Sequence, residues 1–232
     1  MNLAYFQNLL VTGASAYFFS NSIRDSRTRP DTFATLLLSE KQTCDYLKKL
    51  KQRAISEDDD WLAERLARHA KDEKQHCQFF AGALERLEYE ICEDLNSTDL
   101  GTTAFYVRYY EGYSLKEIEA ENVDWATFFA STYVVEIDGY RDMRIMAQAL
   151  PNESNYRYLT KGLLKVASDE REHARYLYQA LCRCTNSENQ AKKLVEKWKV
   201  KKTKAVMALI EDSIKQAMEG KKQSLTRPVK FK

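Results

Sequence analysis

Two five-residue stretches, Asp72-Glu73-Lys74-Gln75-His76 and Asp169-Glu170-Arg171-Glu172-His173, repeat the pattern Asp-Glu-x-x-His in opposite halves of the chain. On an α-helix, positions i and i+3 point the same way, so each Glu and its His can share a ligand. The flanking residues are helical in period. Around the first stretch, Leu62, Leu66, Phe80, Leu84 and Leu87 form an apolar stripe, and the positions missing from it are His69, Glu73 and His76. Around the second, Leu159, Val166, Leu177 and Leu181 form the stripe, and Glu170 and His173 interrupt it. Two further stripes follow the same rule. Phe33, Leu36, Leu47 and Leu50 are interrupted by Glu40, and Phe129, Met143 and Leu150 by Glu136.

Four helices thus each carry a carboxylate in the middle of an inward face. An unpaired buried charge costs on the order of several kcal/mol even after relaxation. No Lys or Arg lies in the stripes to offset it. Protonating the acids is one escape; binding cations is the better one. Four carboxylates and two imidazoles suit two divalent ions held between helices. From Glu40 to Glu73 is 33 residues and from Glu136 to Glu170 is 34, so each half reads as a helical hairpin of matching length. Two of the chain's three histidines fall in the repeated motif. Asp72 and Asp169 lie beside the inward face, where each can reach an imidazole N–H across the core and orient it; the alternative is that both are surface acids.

Composition agrees with long helices. The chain has 7 Gly and 3 Pro in 232 residues, roughly one breaker per 23 where ordinary usage gives about one in eight. A β-sandwich or a doubly wound sheet needs more turns than that. Helices are expected over 31–53, 57–89, 123–150, 153–182 and 187–220. Ser56 is the expected N-cap of the second and Asn122 of the third, with Pro151 as a stop and Gly220 as the last C′ residue. Residues 93–121, with Gly101, Gly112 and the cluster Tyr106, Tyr109, Tyr110 and Tyr113, read as a long crossover holding one or two short helices. The expected fold class is all-α, a four-helix bundle spanning 31–185 within a single domain of 1–232, with an extra helix over 1–20 and a basic C-terminal helix and tail over 186–232.

The net charge of +2 hides an asymmetry. Residues 192–232 carry 13 Lys+Arg against 4 Asp+Glu, leaving an acidic body. Such a segment suits an acidic partner, RNA or a carrier protein, or is simply a solvated lysine face. Five cysteines without a Cys-x-x-Cys pair argue against a disulfide framework or a zinc ribbon and fit a reducing cytoplasm. No apolar run reaches the roughly 18 residues of a membrane span. The apolar segment 1–20 has no basic n-region, so it reads as a packed helix rather than a signal peptide.

The six motif positions resemble the ferritin-like di-iron carboxylate superfamily, which includes bacterioferritin, rubrerythrin, the tRNA hydroxylases that modify an isopentenyl adenosine, and the aldehyde-deformylating oxygenases. The resemblance covers the bundle and is loose outside those six positions. It implies that Glu40, Glu73, His76, Glu136, Glu170 and His173 ligate two iron ions, with manganese or a mixed centre equally compatible with the ligand types. Glu73 and either Glu136 or Glu170 would bridge. It implies an oxidoreductase that uses O₂ on an organic substrate, with electrons from an external donor, since no flavin or iron–sulfur motif is present. Peroxide scavenging or iron storage, and tRNA hydroxylation, are the alternative functions; a homodimer is compatible with each. The rubredoxin module of full rubrerythrins is absent, and Gly139 stands where they carry an extra glutamate.

Lesser candidates lie close by. His69 is a core histidine bonded to a neighbouring acid, or a donor to the metal site. Tyr133 and Tyr140 flank Glu136 and either pack or reach a ligand. Cys44 lies one turn after Glu40, and Gly139 and Ala167 are small residues near the metal level.

Overall fold

The computed structural model describes residues 3–92, 104–185, 187–218 and 224–229. The first part of the expected crossover (93–103), Gly220 and most of the basic tail lie outside the described residues. Among them run eight α-helices and one short ribbon. These are α1 (Leu3–Arg24), α2 (Arg29–Ser56), α3 (Asp60–Arg86), β1 (Tyr89–Ile91), α4 (Ala104–Tyr109), α5 (Leu115–Ile118), α6 (Trp125–Ala149), α7 (Arg157–Cys184), α8 (Glu188–Met218) and β2 (Thr226–Pro228). None of these helices is long and apolar enough to cross a membrane.

The all-α expectation holds; α2 begins at Arg29, ahead of Pro30, α7 begins at Arg157 after a 3-10 turn over Ser154–Tyr156, and two expected caps move for local reasons. Ser56 stays in the last turn of α2, its hydroxyl donating to the Arg53 carbonyl. Asp58 then turns the chain with a positive φ of 58°, a conformation that Asp tolerates better than most residues. That leaves Asp59 to cap α3 by accepting from the Leu62 N–H at 3.0 Å. Asn122 likewise belongs to the preceding turn, donating from Nδ2 to Glu119, and Asp124 caps α6 by accepting from the Thr127 N–H. Helix α6 ends at Ala149, before Pro151.

Helix α2 packs along α3 and α6 along α7, giving two hairpins, and the hairpins meet across α3 and α7. Their apolar stripes form two core clusters rather than one. The first gathers Leu47, Leu50, Leu66, Phe129 and Leu177; the second gathers Phe33, Phe80, Met143, Met146 and Leu163. The interrupting residues of the stripes, Glu40, Glu73, His76, Glu136, Glu170 and His173, are all buried between them.

The crossover and α8 brace this body from outside. Trp198 of α8 is fully buried, with ring centroids 5.0 Å from Tyr109, 5.5 Å from Tyr110 and 5.7 Å from Tyr113. The buried Lys202 pairs with Asp138 of α6, so the basic helix docks through one of its lysines. Lys192, Lys193, Lys197 and Lys204 stay exposed. One element is absent from the sequence reading: β1 pairs antiparallel with β2, Tyr89 opposite Pro228 and Ile91 opposite Thr226. Asp31, in the first turn of α2, anchors that tail by accepting from the Thr226 hydroxyl at 2.7 Å and its N–H at 3.0 Å.

Close approach of α3 and α7 depends on Gly162. A Cβ there would fall 1.9 Å from the Phe79 ring, which is itself boxed in by Phe33, Phe80 and Tyr158. Gly162→Ala is expected to lower stability by about 1–3 kcal/mol, read as a fall in the urea midpoint. An unchanged midpoint would show that the ring moves aside freely.

Candidate metal centre

The inward phase of the four long helices brings all six expected residues to one level. Two groups of donors emerge, Glu40, Glu73, His76 and Glu170 in one, and His69, Glu73, Glu136 and His173 in the other. Within each group the donor atoms lie within 4.8 Å of one another.

The geometry has an approximate twofold relation. His76 Nδ1 faces three carboxylate oxygens, Glu73 Oε2 at 3.4 Å, Glu40 Oε2 at 3.6 Å and Glu170 Oε1 at 3.6 Å. His173 Nδ1 faces Glu136 Oε2 at 3.5 Å, Glu73 Oε1 at 3.6 Å and Glu170 Oε2 at 3.7 Å. Glu73 and Glu170 therefore turn one oxygen toward each histidine, while Glu40 and Glu136 serve one side each. The sequence left the second bridging position open between Glu136 and Glu170; the side-chain directions favour Glu170.

The far side of each imidazole is held from the opposite motif. His76 Nε2 lies 3.3 Å from Asp169 and His173 Nε2 lies 3.3 Å from Asp72, so the two Asp-Glu-x-x-His segments cross-brace each other. With Nε2–H donating to aspartate, Nδ1 is the nitrogen that faces the carboxylates, and it would offer its lone pair to a metal on losing its proton. That arrangement fits a metal. Donors bound at about 2.0–2.2 Å to one ion stand roughly 3 to 3.5 Å apart, close to the spacings here. The buried polar atoms without a hydrogen-bond partner also point to it. Among the described residues they are Glu73 Oε2, His76 Nδ1, Glu136 Oε2, His173 Nδ1 and, outside the cluster, Arg65 Nε. Orphaned atoms of this kind are rare in a folded core and call for an ion or water between them.

His69 breaks the symmetry. Its Nε2 lies 2.8 Å from Glu73 Oε1 and 3.4 Å from Glu136 Oε1, and its ring stacks on His173 with centroids 3.7 Å apart. Its Nδ1 meets the Tyr176 hydroxyl at 2.7 Å. The matching position on α7, four residues before Glu170, is Val166. The bond to Glu73 is the one the sequence reading favoured, but His69 also joins the donor set. Tyr176 was not foreseen. Its signal was its place three residues after His173, on the same face. Tyr133 packs on Tyr178, and the Tyr140 hydroxyl accepts from Arg144, so both flanking tyrosines look away from the ligands. Cys44 is buried and donates to the Ala70 carbonyl. A Cβ on Gly139 would meet the Glu170 carboxyl carbon at 3.5 Å, which puts that glycine beside the site, whereas Ala167 packs in the second core cluster.

Without a metal the cluster redistributes protons. Burial, reinforced by Glu73, raises Glu40 well above the carboxylate range; burial and Glu136 do the same to Glu170. Burial would raise Glu73 and Glu136 too, but their contacts with Glu40 and His69, and with Glu170 and His69, hold both below the ordinary value. Burial opposes charging the histidines, yet the carboxylates around them, Asp169 and Asp72 foremost, raise both His76 and His173. Protons are thus held more tightly on Glu40, Glu170, His76 and His173 and less tightly on Glu73 and Glu136, which lowers the net negative charge of the level. Two divalent ions would lower it in the same sense by replacing those protons.

Compared with protein-family models, with curated proteins and with solved structures, the chain gives no significant match.

Metal affinity is therefore expected to climb with pH. Loading the metal-free protein with two Zn(II) per chain near pH 7 should release protons, held in the metal-free form by Glu40, Glu170, His76 and His173, measured with a pH indicator in weak buffer. Release of less than one would show that other groups bind the ion. The pH dependence of stability has an opposite sign without metal. Groups raised above their unfolded values bind more protons folded than unfolded, so their contribution falls as pH rises from the ordinary glutamate value of 4.5 through the histidine value of 6.5 and beyond. Thermal melts of the two forms across that range check this.

Proposed function

We propose that this chain is a ferritin-like non-haem di-iron protein that uses O₂ to oxidise an organic substrate. The observation that carries the reading is the pair of donor groups, each with an imidazole and three carboxylate oxygens, joined by two glutamates that face both. Glu40, Glu73, His76 and Glu170 would hold one ion, and Glu136, Glu73, Glu170 and His173 the other, with His69 against the second. Bound reduced iron supplies one-electron chemistry and a site for O₂ that no side chain offers.

The residues of this chain do the rest. Asp169 and Asp72 fix the two imidazoles so that Nδ1 is the ligating atom. The apolar clusters on both sides limit the approach of water to the site level along the bundle axis, leaving the α3–α7 side open. Tyr176, His69 and Glu73 form a continuous hydrogen-bonded line, along which a proton on the Tyr176 hydroxyl or on His69 can reach the Glu73 carboxylate. Gly139 beside Glu170 leaves that carboxylate free of a further acidic neighbour of the kind rubrerythrins carry.

Anaerobic titration should load two Fe(II) per chain, and Glu73→Ala or His76→Ala should lose that stoichiometry; two ions in either variant would remove the basis of the reading. Stopped-flow mixing of the loaded protein with O₂ and, in parallel, H₂O₂ separates the activities. Faster reaction with O₂ is expected, and faster reaction with H₂O₂ would favour peroxide scavenging.

A further inference from the structure

A cleft of about 220 Å³ opens between α3 and α7 on the outer side of the His69–Tyr176 pair. Its floor includes His69, His173 and Tyr176, and its walls include Arg65, Arg68 and Arg175. No residue of α8 lines it. The acids of the cleft are already committed: Asp72 to His173, Asp169 to His76 and Lys165, and Glu172 to Arg175 at 3.6 Å. Arg65 and Arg68 are not. Among the described residues neither forms a hydrogen bond or an ion pair within 4.0 Å, although the Arg68 charge helps to hold Asp72 ionised, and Arg65 Nε is buried without a hydrogen-bond partner. The nearest group to the Arg65 guanidinium with a recognised contact is the Trp61 ring, 5.7 Å away.

Arg65 Nε is closed off, but the terminal N–H groups of half-buried Arg65 and of exposed Arg68 have no protein acceptor among the described residues. An oxyanion would supply one, and the planar fork of arginine matches a carboxylate in two parallel bonds. The volume falls below the roughly 300–1,000 Å³ of pockets for drug-sized ligands, so the ligand is small. We propose that Arg65 and Arg68 anchor the carboxylate of a small organic molecule in this cleft, beside the His69 edge of the metal level. This names a substrate class for the site above and rests on that reading for its catalytic meaning; the binding itself does not need iron.

The test uses the full-length, metal-free chain and calorimetric titration with butyrate and, separately, inorganic phosphate. Butyrate should bind, and Arg65→Gln and Arg68→Gln should each weaken it at least tenfold while keeping the wild-type melting profile. Arg86→Gln, on the same helix but over Tyr158 and outside the cleft, should leave the affinity unchanged. Arg175→Gln, at an exposed position, gives a second probe of the same wall if Arg65→Gln fails to fold. Absence of butyrate binding, equal affinity in the arginine variants, or tighter binding of phosphate would each overturn the proposal. Failure of iron loading leaves these affinities untouched, so the loss of one reading is distinguishable from the loss of the other.

Discussion

Everything in this molecule is arranged around four carboxyl groups placed in a dry core. Among the described residues no lysine or arginine pairs with them, and a low-dielectric interior does not tolerate uncompensated charge. Without a metal, tighter proton binding on Glu40, Glu170, His76 and His173 reduces that charge. The same six side chains are also grouped so that they could hold a metal ion. This is why the apolar core is split into two clusters with a polar layer between them, instead of closing into one.

That layer governs how the helices meet. Each hairpin contributes one Glu-x-x-His and one lone glutamate, and the hairpins are tied to each other by Asp72 on His173 and Asp169 on His76. The aspartates sit at the edge of the layer, less buried than the imidazoles they hold, so their own charge costs less to keep. The outer elements stiffen this arrangement without entering it. Trp198 in its tyrosine nest and Lys202 on Asp138 fix α8 against the crossover and α6, and Asp31 holds the tail ribbon at the far end.

The near-twofold layer has one asymmetric member. His69 has no counterpart on α7, where Val166 fills the equivalent place. With Tyr176 it links one of the two donor groups to the α3–α7 cleft, and the other group has no such histidine.

The sequence by itself determined the long helices, their inward faces and the six Glu and His side chains buried on them, because helical period and i, i+3 spacing are local properties that one chain states directly. It also placed Asp72 and Asp169 beside the inward face, since the angle between i−1 and i+3 on a helix does not depend on the rest of the fold, but only the packing of α3 on α7 decided that each meets the imidazole of the opposite motif. The cap residues Ser56 and Asn122 were misplaced by a few positions, because several side chains nearby can cap and only the turn geometry chooses among them. Residues 89–91 and 226–228 could not be read as partners, for each strand is too short to show a period and the pairing is long-range. Which second glutamate faces both histidines, how far His69 enters the donor set, and that Tyr176 rather than Tyr133 or Tyr140 meets the site were decided only by tertiary structure. All three depend on the rotation and depth of one helix against another, and those are set by packing such as Phe79 against Gly162, which no single helix encodes.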